Sequence, residues 1–298
     1  MDITNELKVA LEKQEHLSVH YQPIYCVKNS EIHSLESLVR WNHQTHGYIS
    51  PELFIPQSEK DGSIYELSLF VLQETCEMLK QHPDIKASIN ISPSLFKTDG
   101  FFNDFINTLK SHAIPATRIE VEITENLTIE HLKYGKHHLD YFKNIGITVS
   151  MDDFGDGLAN FVQLLNYPFD KIKVDKQLVQ NVSRNSCKYS ILKHLIKLSH
   201  DMGMQVTAEG VETIEDFKTL IDFKCDYIQG FLISRALPKQ QFFDFLTHFS
   251  TRKILFIINS ICYSTCFTQY GKCRNRNCVI FTDYVGNGQP GPPATTAK

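Results

Sequence analysis

Two adjacent carboxylates, Asp152 and Asp153, close a largely apolar run from Ile147 to Met151 and lead into the glycine turn Phe154-Gly155-Asp156-Gly157. A buried strand that ends this way delivers paired oxygen ligands to one point, which suits hard divalent cations. The pattern recurs: Glu36, Asn90, Glu122, Lys173, Glu209 and Gln229 each interrupt or end an otherwise apolar segment. Burying such groups singly costs on the order of several kcal/mol unless they are paired or bound to a cation. Taken one at a time, ordinary roles compete. Asp-Asp before a glycine is commonly a solvated turn, a lone Glu36 in a strand commonly faces water, and Lys173 and Asp175 are spaced for a plain salt bridge along one strand face.

The elements that must position these groups follow from periodicity. Helical spacing marks Asn5 to Lys13, Tyr65 to Gln81, Phe101 to His112, Asn126 to Asn144, Cys187 to Met202, Ile214 to Phe223 and Lys239 to His248, and His131, His137 and His138 read as solvated helix positions. Strand patterns cover His20 to Ile24, Ile32 to Trp41, Lys86 to Ser92, Arg118 to Thr124, Ile147 to Asp153, Lys171 to Asp175, Gln205 to Ala208 and Tyr227 to Gly230, and Pro51 and Pro56 punctuate an expected loop. Eight strand candidates mostly separated by helices are the signature of an α/β fold of (β/α)₈, TIM-like barrel type. Barrel strand ends converge on one mouth. There they would gather five carboxylates, two amides and one lysine, a donor set for Mg²⁺ or Mn²⁺; without histidine or cysteine it is no zinc site. An enolase-like proton abstraction on Mg²⁺ fits the same residues.

Composition narrows the class further. The chain has 298 residues, 42% hydrophobic and 21% charged, enough for a large core. A net charge of -4 gives no general attraction to a nucleic-acid polymer or an anionic membrane. No run reaches the ~18 apolar residues of a membrane span, and the polar start does not read as a signal peptide. Cys26, Cys76, Cys187 and Cys225 read as small buried hydrophobes suited to a reducing cytoplasm, the expected location. The expected organisation is an N-terminal helix (1–15), one catalytic domain (16–249) and a poorly ordered, dispensable tail (250–298). Cys262, Cys266, Cys273 and Cys278 crowd that tail at spacings that match no strong zinc pattern. The short N-terminal segment leaves no room for a sensor, so a stand-alone protein is expected.

In chain order stand Tyr21-Gln22-Pro23-Ile24, Glu36-Ser37-Leu38-Val39-Arg40-Trp41, Phe54-Ile55-Pro56, Asn90-Ile91-Ser92, Glu122-Ile123-Thr124-Glu125, Asp152-Asp153-Phe154-Gly155, Lys173-Val174-Asp175, Ala208-Glu209-Gly210-Val211-Glu212 and Gln229-Gly230. This series, from about Tyr21 to Pro238, resembles the EAL-domain family of cyclic di-GMP phosphodiesterases, with Ser37 where the family's signature has alanine. The resemblance implies a barrel with one antiparallel strand that hydrolyses cyclic di-GMP to linear 5'-pGpG. It also implies Glu36, Asn90, Glu122 and Asp152 as ligands of one Mg²⁺ or Mn²⁺, and Asp152, Asp153 and Glu209 as ligands or near neighbours of a second, about 3.5 to 4 Å away. Ca²⁺ is expected to inhibit. Lys173 matches the lysine that positions the attacking water and offsets charge on phosphorus, and Glu209 is the candidate base. Arg40 would grip a phosphate with its planar fork, while Gln22, Leu38, Asp175, Glu212 and Gln229 match positions around the dinucleotide.

Some members of the family have lost catalysis and act as cyclic di-GMP receptors or protein-interaction antagonists; the intact acids and lysine favour the enzyme. The resemblance further implies a homodimer, and Glu125 as anchor of the loop after the aspartate pair. That loop departs from the family pattern Gly-Thr-Gly-Tyr-Ser-Ser, reading Gly155-Asp156-Gly157-Leu158-Ala159-Asn160. Asp156 near Glu125 would set like charges together and loosen the loop.

Overall fold

The computed structural model describes residues 3–124, 129–155, 164, 167 and 169–249, with side chains in the 129–144 helix from residue 134 onward. Glu125, the His131 side chain, the Asp156 to Asn160 loop and the tail with its four cysteines lie outside what is described. Met1–Thr247 forms one compact unit; of the second, His248–Lys298, only residues 248 and 249 are described.

Strands β1 (Leu17–Cys26), β2 (Glu31–His43), β4 (Lys86–Asn90), β5 (Ile119–Thr124), β6 (Thr148–Phe154), β7 (Lys171–Val174), β8 (Gln205–Ala208) and β9 (Tyr227–Ile228) pair in the ring β1-β2-β4-β5-β6-β7-β8-β9 and back to β1. Two short additions, β3 (Gly47–Ile49) and β10 (Leu237–Pro238), extend it outside the ring. From β2 through β9 every ring pairing is parallel, whereas β1 runs antiparallel to both neighbours, β2 and β9. The reversal puts the N-terminal half of β1 at the mouth, so that Gln22 stands opposite Glu36 and His20 opposite Leu38.

Strand alternation separates two populations. Leu35, Ile89, Val121, Val149, Ile172, Val206 and Ile228 are fully buried. On the opposite faces of the same strands stand Glu36, Asn90, Glu122, Asp152 and Lys173, pointing into the ring. The helices supply the other half of the core: Leu67, Leu72, Cys76 and Leu79 from Ile64–Gln81, Phe101 and Phe105 from Phe101–Ser111, Leu192 and Ile196 from Ser186–Asp201, and Leu220 from Ile214–Asp222.

Three local expectations change. The loop expected around Pro51 and Pro56 is a helix, Pro51–Asp61. Pro51 takes the first turn, where a missing N–H costs nothing. The fully buried Phe54, edge-on to Trp41 at 5.5 Å, holds the element against the barrel despite Pro56. Cys187 is exposed rather than buried, beside the Asn185 side chain that caps its helix. His138 is not a solvated helix position: it stacks on Phe102 at 3.7 Å, and burial, then His137, lowers its pKa.

Candidate metal centre

The mouth of the barrel is organised around one ammonium. Lys173, on β7, is 1% exposed, and its Nζ lies 2.7 Å from Glu209 Oε1, 2.8 Å from Glu122 Oε2, 2.9 Å from Asp152 Oδ1 and 3.4 Å from Glu36 Oε2. These carboxylates come from β2, β5, β6 and the residue after β8, so only a closed ring in this register brings them to one nitrogen. Glu36 has further partners: Asn90 donates to its Oε1 at 3.0 Å and Gln229 to its Oε2 at 2.6 Å. Gln229 also donates to Gln22 Oε1 at 3.2 Å, and Gln22 Nε2 to the Ser234 carbonyl at 3.1 Å. An amide ladder thus runs from the antiparallel strand into the acid cluster.

Asp152, Asp153 and Glu209 each offer an oxygen within 4.8 Å of one another, a spacing that fits a common cation. Asp153 has a left-handed backbone, φ 55°, which interrupts the β6–β7 register between Met151 and Phe154 and turns consecutive carboxylates toward the same centre. The donors fit a hard cation. All can bind through oxygen, Asn90 through its amide carbonyl, and among the described residues Glu122 Oε1 is buried with no hydrogen-bond partner, an oxygen whose lone pairs are unused.

Electrostatics divides the acids. Burial resists the charge on Glu36, but Lys173, Gln229 and Asn90 outweigh it and hold its carboxyl below the ordinary range. Burial, followed by the charge of Glu36, pushes Glu122 well up, and burial likewise raises Asp152. Glu209 is pushed up to about 8, by burial first and then by Asp152 and Glu36, against the opposing pull of Lys173. On Lys173 burial is overcome by Asp152, Glu122, Glu209 and Glu36, so the ammonium is firmly held.

The sign of the pH effect follows. A glutamate raised from near 4.5 to about 8 on folding binds its proton more tightly in the folded state. Its contribution to stability is complete below 4.5 and lost as the pH climbs through 8. In chelator, thermal stability is therefore expected to fall as pH rises across that window. Mn²⁺ affinity, which needs the ionised acids, is expected to rise, by up to about tenfold per pH unit for each proton released. Calorimetric titration and thermal unfolding at several pH values check both; a flat metal affinity would show that Glu209 is already ionised.

Above the cage, Leu38 and Arg40 continue the face of β2 that carries Glu36. Both are partly exposed, and Arg40 donates to the Val39 carbonyl at 2.9 Å. Asp175 does not pair with Lys173. It caps the short helix Lys176–Val179, accepting from the Gln177 amide at 2.7 Å. Glu212 accepts from Gln180 Nε2 at 3.2 Å beside that helix, outside the acid cluster. Sequence reasoning assigned no role to the layer below. There Lys171 and Glu120, both buried, pair at 2.5 Å, and Lys171 lies 4.3 Å over the Tyr227 ring. Its signal was the doubled pattern Glu-x-Glu and Lys-x-Lys, which puts a second ion pair one pleat beneath the first.

Gly230 sets the position of Gln229. With φ +157°, a Cβ there would meet Val211 O at 2.2 Å and Val211 N at 2.3 Å. Gly230→Ala must push apart the segments carrying Gln229 and Glu209. A loss of about 1 to 3 kcal/mol is expected for such overpacking, read as a Tm roughly 3 to 10 °C lower; an unchanged Tm would show that Val211 yields freely.

The EAL domain profile matches residues 4–236. The chain belongs to the EAL domain family. Among relatives of this EAL protein, the cyclic di-GMP phosphodiesterase NbdA of Pseudomonas aeruginosa is 30% identical over 251 residues, covering 83% of this chain and 32% of NbdA. The bifunctional diguanylate cyclase/cyclic di-GMP phosphodiesterase MucR of the same organism is 29% identical over 246 residues, covering 81% of this chain and 36% of MucR. The chain thus spans about a third of the length of these curated relatives. A solved structure of the MucR phosphodiesterase in complex with c-di-GMP superposes with a TM-score of 0.75 at 29% identity, covering 81% of this chain and all (100%) of that one. EAL domains are metal-dependent as a family, and the acidic cluster at the mouth has the donors for it.

Proposed function

We propose that this EAL protein is a metal-dependent phosphodiesterase that opens cyclic di-GMP to linear 5'-pGpG. The observation that carries the reading is the convergence of Glu36, Glu122, Asp152 and Glu209 on Lys173 at the barrel mouth, with Asp153 beside them. The c-di-GMP held by the MucR phosphodiesterase supports the ligand.

Glu36, Asn90, Glu122 and Asp152 would hold one cation, and Asp152, Asp153 and Glu209 a second. Mg²⁺ or Mn²⁺ would supply Lewis-acid activation of water and of the phosphodiester. Lys173 keeps a fixed positive charge where the phosphorane develops charge, and Glu209, ionised when a cation is bound beside it, would accept a proton from the incoming water. Arg40 and Leu38 at the rim meet the nucleotide, Gln22 and Gln229 fix the floor beneath it, and Asp175 and Glu212 shape the neighbouring wall. Glu125 is proposed as the anchor of the loop after Asp153. Among the described residues, no helix is long and apolar enough to cross a membrane. We further propose that the protein works in the cytoplasm as a homodimer, that residues 16–249 suffice for hydrolysis, and that Ca²⁺ inhibits.

The deciding experiment incubates purified full chain, and a chain ending at Ser250, with cyclic di-GMP and Mn²⁺ and follows linear 5'-pGpG by chromatography. Tight binding without product would identify a receptor instead; activity in the full chain alone would assign the tail a share in the fold.

A further inference from the structure

Lys173 shares its oxygens with the candidate cation site. Of the triad Asp152, Asp153 and Glu209, two members are already its partners, through Asp152 Oδ1 at 2.9 Å and Glu209 Oε1 at 2.7 Å. An ammonium has three N–H bonds. Here the nitrogen lies within 2.9 Å of three carboxylates, Glu122, Asp152 and Glu209, while Glu36 stands farther off at 3.4 Å and also accepts from Asn90 and Gln229. The acids therefore fall into one that neutral donors anchor and three that Lys173 anchors. Like charges gathered in a buried site repel strongly unless a cation sits among them. A dication bound by Asp152 and Glu209 would repel the ammonium and claim the same oxygens.

We propose that Lys173 is the built-in counter-cation of this site: in the absence of metal its ammonium holds Glu122, Asp152 and Glu209 in place, and divalent cations bind by displacing it from Asp152 and Glu209. Metal binding is then an exchange of one cation for another. The site stays assembled without metal, and the metal's affinity is set against the protein's own lysine. The inference rests on the phosphodiesterase reading only through its metals.

Lys173→Met removes the charge while keeping most of the side chain's length. The full chain and the variant, stripped with chelator, are titrated with Mn²⁺ alone by calorimetry, and their Tm values are compared in chelator and in saturating Mn²⁺. The variant is expected to bind Mn²⁺ at least about tenfold more tightly, to melt lower in chelator, and to gain more from Mn²⁺ than the parent chain. Equal or weaker binding, with an unchanged gain in Tm, would overturn the proposal. If Lys173→Met precipitates in chelator, it is prepared in Mn²⁺ alongside Lys173→Gln. Recovery of soluble protein only with metal supports the exchange, and failure of both variants with and without Mn²⁺ refutes it, since metal then cannot replace the ammonium. A parent chain that shows the exchange yet leaves cyclic di-GMP intact would overturn the phosphodiesterase reading and keep this one.

Discussion

Lys173→Ala is expected to lower turnover of cyclic di-GMP at saturating Mn²⁺ by a factor of about 10² or more, the range for losing a preorganised charge aimed at the transition state. The Nζ is fully enclosed and sits among the acids, at 2.7 to 2.9 Å from three of them. In the proposed function this charge offsets the one that develops on phosphorus, and binding of the intact nucleotide rests on other groups, Arg40, Leu38 and Gln22, none of which touches Lys173 among the described contacts. Affinity measured in Ca²⁺ should therefore stay within about a few-fold, and kcat and kcat/KM should fall together, as for an interaction made only in the transition state. If affinity collapses while turnover holds, Lys173 is a binding residue. Saturating metal matters in this assay, because the variant is also expected to differ in metal affinity.

Removal of divalent metal is expected to abolish hydrolysis, and Mg²⁺ or Mn²⁺ to restore it. Among the described residues the acid cluster contains no histidine or thiol, so its affinity is for hard cations. Ca²⁺ would enter the same oxygens but at about 2.3 to 2.6 Å, against about 2.0 to 2.1 Å for Mg²⁺, and with looser geometry. In a cluster whose Asp152 comes from β6 and whose Glu209 follows β8, that expansion would separate the groups proposed to act on one phosphorus. Ca²⁺ is thus expected to support nucleotide binding, to give no turnover, and to compete with Mn²⁺. Rates measured in chelator, in each metal alone and in Mn²⁺ with rising Ca²⁺ decide it: full activity in chelator or in Ca²⁺ would rule out the two-metal scheme.

Much of this was written in local sequence. Period-2 alternation in Glu120-Val121-Glu122-Ile123 and Lys171-Ile172-Lys173-Val174 assigns each residue to the inside or outside of a ring before the ring is known. The repeated strand-then-helix order implies a mostly parallel α/β sheet, and eight strands with polar groups at their ends point to a barrel. The residue types at the strand ends gave the donor set, and their order along the chain gave the family. Periodicity alone could not orient β1, because a strand's pattern reads the same in either direction; its antiparallel pairing depends on how the sheet closes. Nor could local reading choose the partner of Lys173. Asp175, two residues on, was the nearest candidate by spacing, but it lies at the start of a helix and its carboxylate satisfies an amide there. The actual partners are separated from Lys173 in sequence and are brought to it by strand register. The helix at Pro51–Asp61 and the stacking of His138 on Phe102 were decided in the same way. In each case burial against a distant segment outweighed the local preference.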